Sequence, residues 1–273
     1  MTYQIESEPT PQRRSAVQSI WDVGVIVSLV ILAISTQSGN FNPANISSAL
    51  RPINVNQVVN HSQNLRGRTV TIRSKAVQQM GTSSFTLKDS FFSPQEPILV
   101  VNASGVPFNL PSDRNIEIQI TGKVRDFAIA DLERDYKLDL QAEQYSGYVN
   151  KPVIVAQNIM LAPQPNQVVQ NPARYYGKTV AVTGEVNNIT SPILMTIHKR
   201  QVFRDRNLPV LLTSSPKVAI NKGQTVAVVG EIRPFVTSEI EQTYNLNWNP
   251  DVSRQLEAKY RNQPVLVAET VHP

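Results

Sequence analysis

The sequence contains no cysteine. Disulfides, thiolate metal sites and cysteine nucleophiles are therefore excluded, while the compartment stays open, because exported proteins need not use disulfides. Histidine occurs only as His61, His198 and His272, without a spacing that suits a metal or a catalytic base. There is no G-x-S-x-G elbow, no phosphate loop and no G-x-G-x-x-G turn. Asp131, Glu133, Asp135 and Asp139 fail as a calcium loop, since the sixth and twelfth positions would need Gly and Glu and hold Tyr136 and Ala142. They read as a solvated helix face. No cofactor, no metal and no enzymatic activity are expected from this set.

Charge is also sparse, at 17% of residues, with a net +5. Residues 1–50 carry two basic against three acidic side chains, residues 51–160 twelve against ten, and residues 161–273 twelve against eight. The bias toward the C-terminal half suits an anionic partner. It falls short of the dense basic stripe of a dedicated nucleic-acid binder. What the chain does have is 41% apolar residues over 273 positions, enough for about two domains with packed cores.

Residues 20–36 form an apolar stretch with Trp21 and Asp22 near one end. With its flanks it reaches the ~20 residues of a membrane span. Arg13 and Arg14 precede it and no further Lys or Arg follows until Arg51, so the positive-inside rule leaves the N-terminus in the cytoplasm. The favoured reading is an uncleaved signal-anchor, with residues 1–19 as a cytoplasmic tail and 37–53 as a Ser-, Asn- and Pro-rich linker. A cleaved signal peptide is the alternative, with Ala33-Ile34-Ser35 supplying small residues before the cut. Either way the bulk of the chain lies in a periplasm, a lumen or outside the cell.

The rest of the sequence repeats. Gly67 and Gly177 lie 110 residues apart, each followed by a basic residue and Thr-Val. NQVV at 56–59 recurs at 166–169, PIL at 97–99 as PVL at 209–211, and GKVRDF at 122–127 as GEIRPF at 230–235. YKL at 136–138 recurs as YNL at 244–246, and KPVIVA at 151–156 as QPVLVA at 263–268. So many blocks in one shared order mark an internal duplication, with modules at 54–160 and 164–271. Each module reads as five strands. In the first they are 69–77, 84–88, 97–102, 116–126 and 153–159. In the second they are 179–186, 194–198, 210–213, 225–233 and 265–270. Short helical turns are expected at 56–64 and 166–175, and helices before the last strand at 130–145 and 238–260. The fold class is all-β with minor helix. Five strands, a long first strand and an interrupting helix point to a small Greek-key barrel of the OB type in each module.

The pattern QVVxNPxxYYGKTVxVxGEV followed by GxTVxVxGxIRxF and a final PVxVA resembles the OB-like modules of exported, lipid-anchored or membrane-anchored bacterial proteins. The resemblance covers both modules and is closer in the second. It implies a fold and an extracytoplasmic setting and brings no activity with it. Many such proteins use a lipidated Cys as anchor; here the N-terminal apolar segment would take that role. One departure concerns the helix, which in the usual OB order falls between strands three and four and here is expected between four and five.

The densest basic patch is HKRQVFRDR at 198–206, in the turn between the second and third strands of module two. Loops at a barrel mouth are where OB folds bind, which makes Lys199, Arg200, Phe203, Arg204 and Arg206 candidate partner-binding residues. The matching turn of module one, 89–96, is acidic and aromatic. Arg125 and Phe127 recur as Arg233 and Phe235. The two arginines are candidates for duplicate binding sites, or else for a structural pairing in which the Phe enters the core and the Arg stem packs along it. The leading expectation is a non-enzymatic, membrane-tethered binding or scaffold protein with a protein partner or an anionic surface as its target. Single-stranded nucleic-acid binding and an enzyme of the cell envelope are the alternatives, each with less behind it.

Overall fold

In the computed structural model the described residues are 52–90, 96–199, 207–213, 216 and 219–272. The expected anchor and its linker lie outside them. Among the described residues no helix is long and apolar enough to cross a membrane.

The chain is mostly β with minor helix. Its first five strands are β1 (Thr69–Met80), β2 (Ser84–Lys88), β3 (Ile98–Asn102), β4 (Glu117–Asp126) and β5 (Pro152–Ala162). β1 runs antiparallel to β2 and to β4, β2 antiparallel to β3, β3 parallel to β5, and β5 antiparallel to β4. The ring is thus closed, and a five-stranded barrel results. Closure pairs the edges that an open sheet would offer to other chains. The next five strands are β6 (Thr179–Ser191), β7 (Leu194–His198), β8 (Leu208–Leu212), β9 (Thr225–Pro234) and β10 (Pro264–His272). They pair in the same sequence and sense: β6 with β7 and β9, β7 with β8, β8 parallel to β10, and β10 with β9.

The helices fill the ends of this β scaffold. α1 (Val55–Asn60) and α2 (Ser62–Leu65) precede β1, and α4 (Pro165–Gln170) precedes β6. α1 starts at a capping box in which Asn54 and Gln57 satisfy each other's backbone N–H groups. A second cap comes from Asp89, whose two carboxylate oxygens accept the backbone N–H groups of Val55 and Asn56 at 2.8 Å each. The acidic turn of module one therefore begins with a structural residue. α3 (Ile129–Tyr136) stands between β4 and β5, and α5 (Thr237–Tyr244) with α6 (Pro250–Tyr260) between β9 and β10. The helices expected at 130–145 and 238–260 are each interrupted. Lys137 and Asn245 take left-handed backbone conformations with φ of 54° and 51°, which end α3 and α5 one residue after the paired Tyr136 and Tyr244. Leu140, at helical spacing from Tyr136, lies beyond that stop, and its N–H is taken by the Glu133 carboxylate at 2.9 Å. Asp131 and Asp135 are occupied by Arg134 and Arg125. The acidic run is spent on ion pairs and a cap.

Period-two alternation sends Val70, Ile72 and Ala76 of β1 into a cluster with Phe85, Leu87, Ile118 and Ile120. β3 is buried along both faces, which explains its unbroken apolar run ILVV. Ile98 and Val100 face the barrel interior, while Leu99 and Val101 pack outward with Phe127, Leu132 and Tyr145 beneath α3. The second half copies this division, with Leu211, Phe235, Ile240 and Tyr260 in the outer layer. Phe127 and Phe235 are core residues, each tilted against a Tyr, at 5.5 Å from Tyr145 and 5.3 Å from Tyr260.

Gly122 shows why one glycine recurs. It sits where the β4–β5 register slips by a residue, and a Cβ there would strike the carbonyl oxygen of Val155 and lie 2.8 Å from the Ala156 Cα. Gly230 meets Val267 and Ala268 in the same way. The residue permits a close backbone approach as well as a bend. Gly122→Ala is expected to cost about 2 kcal/mol by overpacking. The measure is the urea midpoint, with Gly147→Ala as a control at a site where an added methyl meets nothing and the backbone is not left-handed.

Candidate functional site

Of the residues singled out by sequence, Lys199, Arg125 and Arg233 are described. Arg200, Phe203, Arg204 and Arg206 lie outside the described residues. Lys199 is described and exposed at the end of β7. Arg125 and Arg233 lie at equivalent ends of β4 and β9, each with its guanidinium carbon 6.0 Å from the ring centre of a tyrosine, Tyr136 or Tyr244. Arg125 donates to Asp135 at 2.9 Å; that bond raises the guanidinium's affinity for its proton and lowers the pKa of the Asp135 carboxyl. The position matching Asp135 is Thr243, and Arg233 turns instead to Glu231 at 3.1 Å, the main cause of its own raised pKa. The repeated element is therefore an arginine laid on a tyrosine that closes a short helix, worth roughly 0.5–1 kcal/mol at such an exposed site. Beside Arg233 is a hollow of about 380 Å³ reaching from Gly177 and Glu231 to Glu239 and Thr243 of α5.

The three histidines are dispersed. His61 is exposed, His198 is buried 4.0 Å from Glu185, and His272 is half-buried on β10. Among the described residues no three His, Asp or Glu side chains gather as metal ligands.

The place where polar chemistry does converge is the junction of the two halves, and it centres on Arg73. This residue sits on the outward-facing side of β1, between the inward Ile72 and Ser74, yet its side chain is only 13% exposed. Its Nε donates to Glu117 at 2.9 Å. One terminal nitrogen donates to the Thr183 hydroxyl at 2.6 Å, and the other to the carbonyls of Ala162 and Pro163 at 2.7 and 3.3 Å. Burial lowers the guanidinium pKa, and the Glu117 carboxylate pulls it back. With so high an intrinsic basicity the group remains a cation. Glu117 and Thr183 lie on strands of different halves, and Ala162-Pro163 is the connection between them, so one side chain ties all three together.

Other contacts flank this point. Leu161 and Val180 form a parallel bridge between β5 and β6. Ile116, at the mouth of β4, is buried in the core of the second half with Val168 and Tyr175. Arg174 lies 3.6 Å from Asp113, and Gln167 donates to the Asn115 carbonyl at 3.4 Å. The short Pro-containing joint at 161–165 is thus held from both sides. Beside it opens a cleft of about 570 Å³ between Phe108 and Asn109 of the first half and Lys178 and Thr179 of the second, floored by β5 residues 158–161.

Nothing in the local sequence pattern marks Arg73. It is one of several basic residues on a strand, and its counterpart in the repeat, Thr183, is of another type. A comparison of the paired first strands for outward positions that differ in charge would have raised it. Compared with protein-family models and with curated proteins, the chain has no match.

Two outcomes follow for the junction. Arg73→Met leaves Glu117 and two carbonyls without their donor and is expected to cost about 3 kcal/mol, the scale for breaking a buried pair. Arg73→Lys keeps the charge and loses the fork, so its cost falls between. Urea unfolding checks both, and splitting of the transition into two would show the halves uncoupled. Separately, desolvation lowers the His272 pKa. The unfolded chain then binds the proton more readily than the folded one, so stability falls as pH drops from about 7.5 to 5.5. His272→Gln should flatten that part of a melting-temperature profile.

Proposed function

We propose that this chain is a non-enzymatic binding or scaffold protein, a tethered pair of OB-type barrels presented as one platform. Residues 20–36 act as its signal-anchor, with the N-terminus in the cytoplasm and the barrels in the periplasm, the lumen or outside. The single observation that carries this reading is the Arg73 junction. A buried cation is expensive to place, and here it is spent on fixing one half against the other rather than on a reacting group. Two binding surfaces held at a set spacing gain effective concentration at a shared target that a loose pair would lose. The closed strand order, β1-β2-β3-β5-β4, and its recurrence in β6–β10 support the OB assignment of both modules. The helix between the fourth and fifth strands sits outside the usual OB position without altering that order. The excess of basic residues in the C-terminal half favours an acidic protein or an anionic surface as partner.

Affinity capture of the full chain from detergent-solubilised native membranes should recover a specific companion, retained by the wild type and released at high salt. Protease added to sealed cells should remove the barrels. Protection of the barrels would overturn the topology, and capture without any specific companion would overturn the binding role.

A further inference from the structure

β5 is a long strand of the first barrel, eleven residues, and has an interrupted edge. On one side it pairs with β4 over its whole length, from Pro152 to Ala162. On the other side β3 pairs with residues 153–156, and the final rung there is the Ala103 N–H donated to the Ala156 carbonyl at 2.8 Å. The next neighbour on that side is β6, which pairs with β5 at Leu161. Among the described residues, no strand lies beside 157–160 on this edge. The 570 Å³ cleft opens along this gap, with Phe108 and Asn109 on one wall and Lys178 and Thr179 on the other.

We propose that the cleft takes an extended acidic peptide segment of a protein partner, added as a strand along 157–160 of β5. Four residues of strand rise about 13 Å, the length left open between the end of β3 and the start of β6. The volume falls in the range of formed ligand sites, and the place, a seam between two structural units, is where such sites concentrate. Main-chain pairing would supply the affinity and the walls the selectivity. Ile159 and Phe108, both half-buried, give apolar footing, and Asn109 and Asn158 give polar contacts at the rim. The charge preference comes from Lys178. It is exposed and, among the described residues, makes no ion pair, whereas Arg73 is engaged by Glu117 and Arg174 by Asp113. An acidic side chain on the incoming strand is the complement that Lys178 lacks. In the second half the pairing of β8 likewise ends at Ala268 of β10, and among the described residues 269–272 of β10 lack that neighbour.

The proposal rests on the binding role given above, and the test separates the two. Random heptapeptides displayed on phage are selected against the full chain in detergent micelles, and the enriched peptides are synthesised. The expected peptides carry an acidic residue beside alternating β-branched ones. With peptide at about ten times its Kd, amide exchange at 157–160 should slow about ten-fold. Lys178→Glu should weaken binding by about five-fold or more, and the neutral Lys178→Gln by less. Lys259→Glu, on α6 away from the cleft, should leave it unchanged. Peptides that protect residues elsewhere, or that bind Lys178→Glu as well as wild type, overturn this site and leave the binding role standing. An absence of any enriched peptide also overturns it, whatever the membrane capture yields; failure of the capture as well removes both.

Discussion

A guanidinium group taken out of water is a poor choice for stability unless every one of its donors finds an acceptor. At the junction Arg73 meets a carboxylate, a hydroxyl and two carbonyls. The planar fork makes this possible, since its N–H groups point in fixed directions and can serve three chain segments at once. The other junction contacts, the Leu161–Val180 bridge and the insertion of Ile116 into the second core, depend on the same placement of one half against the other. The cleft beside Lys178 also exists only because the halves are held there.

The two halves share a skeleton and differ in what they do with matching positions. Asp89 caps α1 with its carboxylate, and the corresponding residue is Lys199 on an exposed turn end. Arg125 and Arg233 keep their tyrosines but take different acidic partners, one from the helix and one from its own strand. The core residues and the glycines at the register slip are retained in kind, because there the backbone geometry allows little choice. Divergence has gone to the loops and outward strand positions, where a residue's neighbours are set by the contacts between units.

How much could be read beforehand follows the same division. The strands were legible because period-two burial and recurring glycines leave a direct trace: the expected 84–88 and 194–198 coincide with β2 and β7. The strands run further than their alternation marks. β1 runs three residues past Val77 and β6 five past Val186, since pairing to a hairpin partner carries them through the polar residues Gln78, Gln79, Asn187 and Asn188. The helix breaks were missed because Lys137 carries no mark of a left-handed residue in its identity; only Asn245 does. Phe127 and Phe235 lie in the core, as one of the two readings of the repeated Arg and Phe expects, and their arginines lie on tyrosines rather than along the Phe. The junction was illegible for a different reason: Arg73 acquires its role from Thr183, on another strand of another module, and local pattern holds no record of that.

The distance in sequence between Arg73 and Thr183 is 110, the same as between Gly67 and Gly177. Each is therefore the other's counterpart, and the duplicated positions touch. Two faithful copies could not have formed this joint. A pair of arginines would set like charges face to face, and a pair of threonines would leave Glu117 without its cation. The seam is thus a point where the internal repetition has to break for the halves to lock.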